Sequence, residues 1–294
     1  MDYFTYKIKK HIIFCLFFVL SFTTITFAQL ERKPVEENRD VELIFNAPKN
    51  INFFTVEPVE KAGLHFSIMH TFGPVDSGAT DLWGLDGGAN IQFGFEYGLS
   101  DKSSIGIQRQ SLDKVYTIYG RQALFNQTEN NSMPFSVSLM GGISANTVNY
   151  DFLGDDEPTW SDRMMYTGQV MFARKFTDRF SLQVSPILTY FADLNEQFLI
   201  DTQEQINFGI VLSSKYRITK KSYLTFQYVE NINNGLNRNF GIGIDIETGG
   251  HVFQMYFVTG RALSEPYLMA VDNGNIGGDF RLGFNVNRIF GKAK

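Results

Sequence analysis

The segment Ile91-Gln92-Phe93-Gly94-Phe95-Glu96-Tyr97-Gly98 puts Ile, Phe, Phe and Tyr on one parity and Gln, Gly, Glu and Gly on the other. Side chains along a strand alternate between two faces, so this reads as a strand with one apolar face and one polar or small face. The end of the chain repeats the arrangement, with Phe280, Leu282, Phe284 and Val286 alternating with Asp279, Arg281, Gly283 and Asn285. Such a sheet either covers a soluble core or faces lipid, and strand length separates the two. Twelve segments of this character follow from residue 61, at 61–71, 90–98, 103–111, 114–126, 135–148, 162–176, 180–191, 205–217, 221–231, 239–247, 251–259 and 279–290, most of them about 9 to 15 residues long. A tilted strand crosses a bilayer in about 9 to 11 residues, whereas strands of soluble sheets average about 5 to 6.

The connections sort by length. Counted from the first segment, even-to-odd connections are short (99–102, 127–134, 177–179, 218–220, 248–250). Odd-to-even connections are long (72–89, 149–161, 192–204, 232–238, 260–278), with 112–113 the exception. That alternation of short turns and long loops belongs to a transmembrane barrel, and an even strand number puts both chain ends on one side, expected to be the periplasm. In hydrocarbon every backbone amide needs a partner within the protein, so a sheet spans only when it closes on itself. Tyr97, Tyr116, Tyr190, Tyr216 and Tyr228 are expected at headgroup level. Pro186 donates no ladder hydrogen bond and is expected to require a bulge.

Composition agrees. The chain is 44% hydrophobic and 19% charged, with Gly 26, Phe 29 and Tyr 13 and a net charge of -5. This excludes a disordered chain, a disulfide scaffold and a basic nucleic-acid binder. Lys7, Lys9 and Lys10 precede an apolar run over 12–27 that ends in Thr26-Phe27-Ala28. The run is too short for a spanning helix and predicts a signal peptide, residues 1–28, cleaved after Ala28. Cys15, the only cysteine, leaves with it. Disulfides, thiolate metal sites and cysteine catalysis are thereby eliminated from the mature chain, and no cofactor is expected.

Residues 29–60 mix charge (Glu31, Arg32, Lys33, Glu36, Glu37) with apolar patches at 41–45 and 51–56. The plain reading is a periplasmic N-terminal segment; the sharper one folds it into the lumen or onto a periplasmic partner. Residues 61–290 then make the barrel and 291–294 a short tail.

Four stretches carry a resemblance: Leu82-Trp83-Gly84-Leu85-Asp86-Gly87, Glu96-Tyr97-Gly98-Leu99-Ser100-Asp101, Asp245-Ile246-Glu247-Thr248-Gly249-Gly250-His251-Val252-Phe253-Gln254, and the closing Gly283-Phe284-Asn285-Val286-Asn287-Arg288-Ile289-Phe290. Together the chain resembles an uncharacterised family of outer-membrane β-barrel proteins of Gram-negative bacteria, catalogued as a domain of unknown function. The resemblance covers nearly all of the mature chain and implies location and fold, with no functional residues to carry over. Phe290 is followed by Gly291-Lys292-Ala293-Lys294, a departure from outer-membrane proteins that end on an aromatic read by the barrel assembly machinery.

Candidate chemistry is sparse. His65 and Ser67 share a face of the first strand and could form a base and nucleophile, as in an integral outer-membrane phospholipase. Leu64, Phe66 and Ile68 claim the lipid side, however, so the pair should face the lumen. Asp245 and Glu247 share lumen parity, joined by Gln254 across the 248–250 turn. They could bind a cation, or form a polar network with Arg281 or Lys175 in which Gly249-Gly250 supplies the positive φ of the turn. Glu96 and Asn285 belong to the same lumen parity, with Gln92, Gln108, Gln169, Gln183, Thr189, Asn207, Ser213, Lys215, Thr225 and Gln227. The mixed signs argue against a strongly charge-selective pore and suit neutral or zwitterionic solutes, or a filled interior. Asp151, Asp155, Asp156 and Glu157 form an acidic loop cluster that could bind divalent cations bridging lipopolysaccharide, or simply be solvated.

The expectation is therefore an all-β protein, an antiparallel transmembrane β-barrel of about 12 strands in the outer membrane, surrounded by lipid and lipopolysaccharide and inserted by the barrel assembly machinery. Its role reads as a passive channel or binding site for a small polar solute. A closed structural barrel anchoring a periplasmic or surface partner is the alternative, and a membrane-embedded hydrolase the third reading.

Overall fold

The computed structural model describes residues 39–193, 204–233, 238–270 and 279–291. The expected signal peptide, residues 29–38 and most of the short tail lie outside the described residues. Two short strands, β1 (Lys49–Asn50) and β2 (Phe53–Phe54), form a hairpin. The wall follows as β3 (Leu64–Pro74), β4 (Asn90–Gly98), β5 (Ser103–Gln110), β6 (Tyr116–Phe125), β7 (Ser136–Ala145), β8 (Met164–Lys175), β9 (Phe180–Phe191), β10 (Ile206–Arg217), β11 (Ser222–Asn231), β12 (Asn239–Thr248), β13 (His251–Val258) and β14 (Arg281–Phe290). One helix, α1 (Glu265–Ala270), lies in the last long loop.

Each of the twelve expected strands is present, with ends moved by a few residues. Every wall strand pairs antiparallel with its sequence neighbours, and β14 closes on β3. The alternation seen in the sequence is the burial pattern: along β4, Gln92, Gly94 and Glu96 point inward while Phe93, Phe95 and Tyr97 are exposed. The same holds for Ile105 and Ile107 on β5 and for Ile242, Ile244 and Ile246 on β12. A closed ladder satisfies the backbone, and the apolar outer face meets lipid. Tyr97 and Tyr216 stand exposed at the end of the short turns, hereafter the turn end, and Tyr116 and Tyr190 at the opposite loop end. Tyr228 differs: it is half-buried and its hydroxyl donates to Glu230.

Three local features answer sequence expectations. Gly249 and Gly250 take φ of 48° and 99° between Thr248 and His251, the positive-φ turn predicted there. The single short connection at the loop end is a tight turn over Leu112–Lys114, in which Asp113 and Lys114 hold φ of 52° and 49° without being glycine. Pro186 requires no bulge. The β8–β9 register is the same on both sides of it, and the ladder omits the pairs that Val170 and Met171 would make with Pro186 and Ser185.

Candidate functional site: a filled lumen

Residues 29–60 are expected as a periplasmic tail or, in the sharper reading, as a segment folded into the lumen or onto a partner; the described part, 39–60, enters the barrel. Asp40 bridges to Thr128 at the turn end, and the Val41 amide donates to the Gln127 carbonyl at 2.7 Å. From there Ile44, Phe45, Ala47, Lys49, Asn50, Ile51, Asn52, Phe53, Phe54, Thr55, Val56 and Val59 are all buried. The chain reverses at Ile51 (φ 57°), where Lys49 pairs with Phe54 and Asn50 with Phe53, and returns to β3.

The wall holds this inner hairpin through its main chain. Wall amide side chains are one group of partners: the Asn52 N–H donates to Gln227 (3.0 Å) and the Val56 N–H to Gln183 (2.9 Å), while Gln183 donates back to the Phe54 carbonyl (2.9 Å). Asn285 donates to the Ile51 carbonyl (2.8 Å) and Gln254 to that of Lys49 (3.3 Å). Three cations on the wall do the same. Arg121 reaches the Thr55 carbonyl at 2.5 Å, Lys215 that of Leu43 at 3.3 Å, and Lys175 that of Glu42 at 3.0 Å. A buried main chain without a neighbouring strand must find such partners, and the lumen residues provide them.

The last long loop enters from the other end. All six residues of α1 are buried. Gln110 accepts from the Leu263 and Ser264 amides at 3.0 Å, Asn231 donates to the Met269 carbonyl at 2.6 Å, and Gln108 donates to Glu265 at 2.6 Å. Tyr267, Leu268 and Met269 pack with Phe53 at the hairpin tip and with Ile187, Phe191, Val211 and Val229 of the wall. The two inserts meet in an ion pair, Lys49 Nζ to Glu265 Oε1 at 2.6 Å, with both side chains buried. Burial lowers the Lys49 amine from its ordinary range although Glu265 opposes that shift, and raises the Glu57 carboxyl although the Ile44 and Phe45 amides oppose it.

Of the sequence-predicted lumen residues, Glu96 is buried and paired with Arg121 (3.0 Å), with Ser104 and Tyr119 hydroxyls donating to it at 2.5 and 3.2 Å. Asp245, Gln254 and Asn285 come together: Gln254 donates to Asp245 (3.1 Å) and Asn285 donates to Gln254 (3.0 Å). Glu247 accepts from the Tyr223 hydroxyl at 3.2 Å. Neither proposed cation joins them. Arg281 opens β14 at the loop end, pairing with Val258 while Asn285 pairs with Gln254. Lys175 turns to the hairpin. No group of three or more His, Cys, Asp or Glu side chains closes on a metal position among the described residues. His65 faces the lumen, and its Nε2 is engaged by Asn287 Oδ1 at 3.1 Å rather than by Ser67. In the acidic loop cluster Asp151, Asp155, Asp156 and Glu157 are exposed, and Glu157 pairs with Arg163 at 2.7 Å.

Two tyrosines lie flat on the wall because the residue beneath is glycine. A Cβ on Gly106 would stand 2.3 Å from the Tyr119 ring, and one on Gly283 2.2 Å from that of Tyr256. At the turn end a cavity of about 210 Å³ remains between hairpin and wall, bordered by Asn46, Pro48, His65, Glu247, His251 and Asn287.

The family model described as "Membrane bound beta barrel domain (DUF5777)" matches residues 45–290. No curated protein sequence matches the chain. Among solved structures, an outer-membrane channel from Pseudomonas putida F1 superposes with a TM-score of 0.49 at 13% identity, covering 80% of this chain and 98% of that one. The KdgM porin gives 0.46 at 6% identity, covering 78% and 99%. An active-site mutant of outer membrane phospholipase A from Escherichia coli gives 0.42 at 12%, covering 82% and 94%.

Proposed function

The chain belongs to the DUF5777 family of membrane-bound β-barrel domains, and from that premise we propose that this outer-membrane barrel is a gated conduit for small polar solutes, shut by its own N-terminal hairpin. The observation that carries the proposal is the mismatch between insert and wall. Outside the apolar cluster of Ile187, Phe191, Val211 and Val229, the lumen wall is largely amide and hydroxyl side chains suited to water, and the hairpin satisfies only part of them. Thr167, Gln169, Thr189 and Ser213 present buried side-chain polar atoms with no hydrogen-bond partner among the described residues. A permanent core selects apolar side chains or complete polar networks, because each unmet buried polar group costs about 1 to 3 kcal/mol. A wall that is wet when open and partly unmet when shut fits an insert that leaves. In this reading the turn end, and with it both chain ends, faces the periplasm.

The filled bore itself favours a second reading, a closed barrel that anchors a periplasmic or surface partner. Single-channel conductance separates them, measured on the protein and on a variant lacking residues 39–59. Discrete steps after deletion, with rare or no steps before it, are the expected result. Silence in both, from barrels whose circular dichroism shows them folded, overturns the conduit.

A further inference from the structure

The lumen charges are sorted around the wall. Lys175 on β8 pairs in register with Ser181 on β9, Ser181 with Lys215 on β10, Lys215 with Thr225 on β11, and Thr225 with Gly243 on β12. The two lysines therefore share one row near the turn end, two strands apart, about 10 Å at the backbone. Asp245 and Glu247 stand on β12, two and four residues beyond that row's end and two strands from Lys215. Within the salt-bridge distance of 4.0 Å, neither lysine has a carboxylate and neither carboxylate a cation among the described residues. The hydrogen bonds of the lysines go to neutral oxygens, the Glu42 carbonyl for Lys175 and the Leu43 carbonyl with Asn46 Oδ1 (2.7 Å) for Lys215, while the Glu57 carboxyl of the hairpin faces Lys215 from beyond ion-pair distance and the Tyr223 ring lies 5.0 Å from its ammonium. The cavity beside the hairpin reaches Glu247.

We infer that Lys175 and Lys215 form the carboxylate seat, and Asp245 with Glu247 the ammonium seat, of a small zwitterionic solute, and that the hairpin carbonyls of Glu42 and Leu43 hold the carboxylate seat until the solute displaces them. A carboxylate is the better partner for an ammonium, since hydrogen bonds between ionised groups are roughly twice as strong as those to a neutral oxygen. The same displacement removes two of the three cationic ties on the hairpin, so solute binding and opening share one contact set. The inference rests on the conduit reading for its purpose, yet its binding step can be tested alone.

The test uses the full chain carrying Cys15→Ser and Asn52→Cys, reconstituted in lipid vesicles. Asn52 sits buried at the hairpin tip, with only its main-chain N–H bound to the wall, so a cysteine there reports hairpin release through its rate of maleimide labelling. Millimolar glycine is expected to raise the rate several-fold, acetate less, and glucose not at all. Lys175→Gln with Lys215→Gln keeps a donor for each carbonyl but removes the charge, and should abolish the response to glycine and acetate. Asp245→Asn with Glu247→Gln should retain the acetate response and lose the preference for glycine. Equal labelling in glycine and glucose, or a glycine response that survives loss of both lysine charges, overturns the inference. A glycine response in a barrel that never conducts without its hairpin would leave the zwitterion site standing and remove the conduit.

Discussion

Lys49, on a hairpin that enters from the turn end, and Glu265, on a helix that enters from the loop end, meet at 2.6 Å inside the barrel. The contact makes the two inserts one body across the bore. Gln92 accepts a further hydrogen bond from Lys49 (3.3 Å), and the Phe54 ring lies 4.6 Å from its ammonium. Opening one end alone would leave the other charge buried without its partner, so the inserts are expected to leave together.

That coupling is measurable. Removing one member of a buried pair costs about 3 to 5 kcal/mol, while replacing both by apolar groups of similar size is close to neutral. Lys49→Met and Glu265→Leu should each raise open probability sharply in planar bilayers, and the double variant should return it toward the parent value. Additive single effects would show that the two inserts move independently.

A second prediction concerns pH. The Glu57 carboxyl accepts from the Ile44 N–H at 2.6 Å and is raised above the ordinary glutamate range by burial, with Lys215 and Arg121 as the charges facing it. A carboxyl whose seated pKa exceeds its free value favours the seated hairpin when protonated. Its contribution is complete below the ordinary glutamate pKa and is lost as pH rises through the raised value. Open probability should therefore climb as pH rises through that range, and Glu57→Gln, which keeps an acceptor for Ile44, should flatten the profile. An unchanged profile in the variant would assign the pH response to another group.

The glycine beneath Tyr119 gives a third. Gly106→Ala places a methyl group where the ring now lies and drives it toward Phe54, whose ring centre is 4.7 Å away. Overpacking of this kind costs about 1 to 3 kcal/mol, read as a lower midpoint of thermal unfolding by circular dichroism. Restoration of that midpoint by Tyr119→Leu in the same chain would identify the ring as the cause.

Ser67→Ala is expected to leave lipid and ester turnover unchanged. The His65 imidazole that would activate the serine is held by Asn287, and the pair faces the lumen rather than lipid. Loss of a measurable hydrolytic activity in the variant would restore the enzyme reading.

The wall was legible in the sequence because its rule is local: period two, a crossing length, and turns that alternate with loops. Each of those survives without knowledge of any contact. The inserts obey no such rule. The hairpin has only two residue pairs and α1 only six residues, too short for either period to register; the apolar patches at 41–45 and 51–56 were the sign of burial for the hairpin, and α1 had none. Parity also reports the face of a strand but not the height of a residue along it. Arg281 shares the parity of Asn285, yet strand direction puts it four residues away, toward the loop end. Lys49, Glu57 and Glu265 became visible only as charges carried into the bore by segments that the strand pattern left out.

The two pairs missing beside Pro186 give the wall a compliant line. Ladder bonds resist sliding and splaying of neighbouring strands, and between β8 and β9 that resistance lapses midway along the strands. The cross-section can therefore yield along that line, passing between round and oval without breaking the closed ring. Lys175 lies on β8 and Lys215 on β10, so the two lysines of the proposed seat stand on opposite sides of this line.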